Sequence, residues 1–130
     1  MRTLIRIEYE DGYGIFFSKL YSTWDCSDEG TQREFYAEKD FNSVCERHRD
    51  FNSPDQDGLN TKKDEKAWFC AYKSVEQLQQ WITTYELKHI ISLGFKVLML
   101  DVSEYQEGKD QIMYTKESIV SLKDISSLFV

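Results

Sequence analysis

Cys45-Glu46-Arg47-His48 separates a thiol and an imidazole by two residues, the spacing at which both can reach one zinc ion, and Cys26 offers a third ligand. Structural zinc sites usually take their ligands from two such close pairs, and the sequence supplies only one. Buried free cysteine otherwise behaves as a small hydrophobe, so the chain is read without a metal centre and without a cofactor. The same pair has the makings of a nucleophile and its base. Cys45 is the thiol best placed for that work, because Arg47 and His48 favour its thiolate, whereas Cys26 lies beside acidic residues and Cys70 falls in an apolar run. Three reduced, unreactive cysteines remain the simpler reading.

His48-Arg49-Asp50-Phe51-Asn52 brings an imidazole, a guanidinium and an aromatic ring within five positions, a set able to hold an anion. Its plain alternative is surface pairing of Arg47 and Arg49 with Glu46 and Asp50, which stabilises little. Upstream, Asp25, Asp28, Glu29, Glu34, Glu38 and Asp40 spread negative charge along the chain. Gathered on one face they would imitate a phosphate backbone and meet a basic groove on a partner, with binding that weakens in salt. Dispersed, they would only keep an acidic protein soluble.

The elements that must position these groups divide the chain unevenly. Residues 18 to 66 carry charge, aromatics and turn formers without a clean period, while residues 67 to 130 read as a compact strand-helix-helix-strand-strand-helix unit. Residues 3 to 9 alternate Ile5, Ile7 and Tyr9 against Leu4, Arg6 and Glu8, the period of a half-buried strand. Residues 13 to 17 either return as a strand or begin a loop, helix is expected around residues 31 to 48 as one or two short segments, and Asn52 to Gly58 is dense in turn formers.

Ala67 to Tyr72 is an apolar run too short for a helix and is expected to be a buried strand. Ser74 and Gln77 form a capping box ahead of Val75, Leu78, Trp81 and Ile82, and a second cap is placed at Thr84, with Gly94 ending that helix. Residues 95 to 102 are apolar almost throughout, so both faces of a central strand should be covered. A shorter strand over residues 110 to 115 is expected to pair antiparallel with it. Thr115 then caps a final helical turn, and Ile119, Leu122, Ile125, Leu128 and Phe129 close the core as short helix and extended tail.

The expected architecture is therefore a single α+β domain over residues 1 to 130, with a mixed or antiparallel sheet of about four to five strands and two to four helices. A 130-residue chain with 41% hydrophobic and 15% aromatic residues can bury a core without disulfides. Its net charge of −7 disfavours binding to nucleic acid or an anionic membrane, and no apolar run approaches the roughly 18 residues of a membrane span. An odd number of cysteines and a first segment without the features of a signal peptide point to the cytoplasm.

Phe69-Cys70-Ala71-Tyr72-Lys73-Ser74-Val75-Glu76-Gln77-Leu78, then Trp81, Gly94-Phe95-Lys96-Val97 and Gln111-Ile112-Met113-Tyr114, resemble small uncharacterised proteins of bacteriophages and mobile elements. The resemblance covers about the last half of the chain. It implies an intracellular phage product, from a class that includes anti-defence inhibitors such as anti-CRISPR proteins. On that footing the expected function is stoichiometric, non-enzymatic binding to a host protein with a basic surface. The binding residues would be Asp25, Asp28, Glu29, Glu34, Glu38, Asp40, His48, Arg49 and Phe51.

Arg6 in the first strand, Ser74 at a strand-to-helix junction and Gln111 opening a late strand also resemble the ADP-ribosyltransferase type of fold. That likeness implies nucleotide binding, with Arg6 on a phosphate and Ser74 and Gln111 facing the cleft. The family carries a glutamate where Gln111 stands, and an amide stabilises an oxocarbenium-like state poorly, so the implied domain is catalytically degenerate. A structural phage protein that self-associates into a homo-oligomer is the remaining alternative.

Overall fold

The computed structural model describes residues 1–10, 12, 14 and 54–130. The return strand or loop at residues 13 to 17 and the helix near residues 31 to 48 fall wholly or mainly outside these residues.

Strand β1 (Arg2–Glu8) shows the alternation its sequence implies, but both of its faces are covered near the middle. Ile5 and Ile7 are buried on one face and Leu4 on the other, so the half-buried strand of the sequence reading becomes an interior one. Strand β2 (Phe69–Ala71) precedes helices α1 (Val75–Trp81) and α2 (Thr84–Ser92). Strands β3 (Lys96–Val102), β4 (Tyr105–Glu107), β5 (Ile112–Tyr114) and β6 (Ile119–Asp124) complete the order.

The strands form two three-stranded antiparallel sheets, β1-β3-β6 and β2-β5-β4, giving an α+β architecture. β3 is central, as its apolar run requires. Reciprocal backbone bonds between Ile5 and Tyr72, at 2.9 and 2.8 Å, join the sheets at the free edge of β1.

The helices are set by their caps. Ser74 Oγ accepts the Gln77 amide at 3.1 Å, while Gln77 Oε1 accepts the Lys73 amide instead of closing the box on Ser74. The second cap is Thr83, one residue before the expected Thr84, because Glu86 stands three residues after Thr83 and closes a full capping box. Gly94 ends the turn after α2 at φ 104°, where a Cβ would also lie 3.1 Å from the Tyr9 ring.

Leu78, Ile82, Leu87 and Ile90 of the helical segment pack on Ile5, Ile7, Phe95 and Val97, and Ile125 and Phe129 close this core. On the other side of the same sheet, Leu4, Leu98, Leu100 and Val102 pack on Ala71, Ile112 and Tyr114 of the second sheet. Layers therefore run helices, sheet, sheet.

Four further expectations need correction. The strand near residues 110 to 115 pairs with β4 and β2, not with β3, because Gly108 makes a tight local hairpin through its bond to the Gln111 carbonyl at 2.8 Å. Residues 119 to 124 form a strand where helix and tail were expected. Their apolar spacing of three suits a helix, but pairing with β3 supplies bonds to that strand's open edge. Thr115 does stand at the N-cap of a short helical turn, Lys116–Ser118, but its hydroxyl makes no capping bond and donates instead to Glu104 Oε1 at 2.9 Å. Cys70, expected inside a buried strand, is exposed, since in a period of two only its neighbours Phe69 and Ala71 turn inward.

Candidate functional site

Leu4, Arg6 and Glu8 share one face of β1, and this face leads from the core between the sheets outward to its rim. Leu4 is fully buried, Arg6 is 8% exposed, and the Glu8 side chain is 19% exposed. On the facing sheet, Phe69 of β2 lies opposite Tyr114 of β5, with ring centroids 6.0 Å apart. Lys116 follows Tyr114 by two residues.

The rim gathers two cations on one aromatic ring. The Arg6 guanidinium carbon is 5.6 Å and Lys116 Nζ 4.7 Å from the Phe69 centroid, within the range where the ring quadrupole attracts a cation. Arg6 Nη1 donates to the Cys70 carbonyl at 2.6 Å. Lys116 Nζ donates to the Gly12 carbonyl at 2.8 Å and lies 3.0 Å from Glu8 Oε1. Glu8 thus serves one cation well and the other poorly, for Arg6 Nε is 3.8 Å from the same oxygen.

Two buried polar atoms here lack a hydrogen-bond partner among the described residues: Arg6 Nε and the Tyr114 hydroxyl. Burial pushes the Tyr114 phenol up to about 12, with the Arg6 charge pulling weakly the other way. The phenol therefore keeps its proton at neutral pH and can donate a hydrogen bond. The arrangement can bind an anion. Nothing in it forms a nucleophile and base.

A second polar construction lies at the β4–β5 turn. The Asp57 carboxylate accepts the consecutive amides of Lys109, Asp110 and Gln111 at 2.9 to 3.1 Å, filling a concave nest of backbone N–H groups. Lys73 and Gln77 hold the carbonyls of the same turn, at Gly108, Lys109 and Asp110. This nest carries its own anion and ties residues 54 to 58 to the second sheet.

Of the residues proposed for a transferase-like cleft, Arg6 lies at the rim, the Ser74 side chain caps α1, and the Gln111 backbone bonds Asp57 and Gly108. Each has a separate structural task. Asp25, Asp28, Glu29, Glu34, Glu38, Asp40, His48, Arg49 and Phe51, and the metal candidates Cys26, Cys45 and His48, lie outside the described residues. Sequence reasoning missed Phe69, Tyr114 and Lys116 as partners of Arg6. The i, i+2 spacing of Tyr114 and Lys116 was the available signal, since it is the spacing that Arg6 and Glu8 show on β1.

Among the described residues no helix is long and apolar enough to cross a membrane. No curated protein and no solved structure matches the chain. A family model described as the bacteriophage T4 Y00F protein matches residues 1–127, and the chain belongs to that family.

Proposed function

We propose that this phage-family protein acts by stoichiometric binding in the host cytoplasm, engaging and inhibiting a host defence protein that presents a basic surface. The observation that carries the reading is how the protein uses its acidic residues. Acidic residues number 23 against 16 basic ones. Among the described residues many of the carboxylates are committed to the fold. Glu8 pairs with Lys116, Asp57 fills the backbone nest, and Glu86 closes a capping box. Asp101 accepts from Thr3 and Ser121, Glu104 pairs with Lys66, and Asp124 accepts the Ser126 amide.

Asp25, Asp28, Glu29, Glu34, Glu38 and Asp40, with His48, Arg49 and Phe51, are the groups we assign to the partner. Complementary charge would steer the encounter and make the complex sensitive to salt. The test is titration calorimetry of the wild type and of the Asp25→Lys, Asp28→Lys, Glu29→Lys triple variant against the partner isolated from host lysate. The expected result is one-to-one binding that weakens with salt and falls by about tenfold or more in the variant. Unchanged affinity in the variant would sink the proposal.

A further inference from the structure

We propose that the rim formed by Arg6, Tyr114 and Lys116 binds a phosphate group, free or at the end of a phosphate monoester, in competition with the Glu8 carboxylate. The ligand class follows from the donors. Arg6 Nε and the Tyr114 hydroxyl are buried donors without a hydrogen-bond partner among the described residues. Native proteins rarely leave such groups unmet, and an ion or water is the usual explanation.

Charge selects an anion over water. Two cations sit on Phe69, against the single carboxylate of Glu8. That carboxylate lies 3.0 Å from Lys116 Nζ and 3.8 Å from Arg6 Nε, so it satisfies only one of them. A tetrahedral oxyanion has enough oxygens to accept from the guanidinium, the phenol and the ammonium together, where a planar carboxylate has two. Access is from the Lys116 side, where that side chain is 35% exposed. Gly12 and Gly14 lie against the cations, where a Cβ would stand 2.7 Å from Lys116 Nζ and 3.2 Å from Arg6 Nη1, so bare backbone borders the rim. Glu8 is then an internal competitor, displaced from Lys116 when phosphate arrives.

The experiment is a nuclear magnetic resonance titration of the full chain with inorganic phosphate in chloride buffer, following the Arg6 Nε–H and Tyr114 ring signals. A parallel titration uses adenosine 5′-monophosphate. A saturable shift of both signals is expected, weakened about tenfold in Lys116→Met and severalfold in Tyr114→Phe, and strengthened severalfold in Glu8→Gln. Tighter binding of the monoester identifies a nucleotide-like source, and equal binding identifies the free ion. Absence of a saturable shift overturns the site, as does phosphate binding indifferent to Lys116→Met or weakened by Glu8→Gln. Glu8→Gln keeps the test decisive should Tyr114→Phe fail to fold, because a merely structural role for Glu8 would not raise affinity.

Discussion

The two faces of the β1–β3 pair are built to different rules, although neighbouring residues of the same strands supply both. Toward the helices, Ile5, Ile7, Phe95 and Val97 meet Leu78, Ile82, Leu87 and Ile90 in an apolar contact. Toward the second sheet, Leu4, Leu100, Val102 and Ile112 begin in the same way, and then the face ends at Arg6 and Tyr114. Arg6 sits between two isoleucines that are 3% exposed or less. A dry face contributes burial without desolvating charge, whereas a buried guanidinium with an unmet donor costs stability. The difference locates stability on the helical side and binding capacity at the rim.

The largest way to break this comparison is to cut into the dry face. Leu87 is fully buried, and Leu87→Ala should cost about 3 kcal/mol in urea unfolding, through lost burial and the cavity left behind. A loss below about 1 kcal/mol would mean that α2 does not anchor the fold. A smaller effect should come from Thr83→Ala, which removes the hydroxyl that accepts the Glu86 amide at 3.2 Å. About 1 kcal/mol is expected from the same measurement, since helix caps of this kind contribute that much.

The rim sharpens the comparison through pH. The Tyr114 phenol is raised to about 12 in the folded protein by burial, against about 10 in an unfolded chain. Ionisation therefore leaves the folded state unaffected below pH ~10, and stability is lost as pH rises from there through the folded value. Thermal unfolding across that window should show a decline that is shallower in Tyr114→Phe. Some decline should persist, because burial raises the Tyr72 phenol in the same direction.

Legibility in the sequence followed the range of the interactions. The alternation of residues 3 to 9 and the apolar run of residues 95 to 102 describe local backbone periods, and both became strands in the expected places. The Ser74 cap was equally local. Strand β6 was misread because Ile119, Leu122 and Ile125 are spaced by three, a helical signal that pairing with the open edge of β3 overrides. The partner of β5 was misassigned for a related reason, since pairing between distant segments leaves no local trace. At the site, Arg6 was singled out from its strand position, but Phe69, Tyr114 and Lys116 join it only through sheet packing. Asp57 carried no signal at all, since its acceptor role depends on amides more than fifty residues away.

The measurement that tests the division between faces most directly is the urea midpoint of Tyr114→Phe at neutral pH, set beside that of Leu87→Ala. A hydroxyl buried without a partner stabilises nothing, so the phenylalanine variant should match the wild type or exceed it by up to about 1 kcal/mol. A loss approaching that of Leu87→Ala would contradict the account, because it would show the hydroxyl bonded within the fold and the rim acting as one more piece of core.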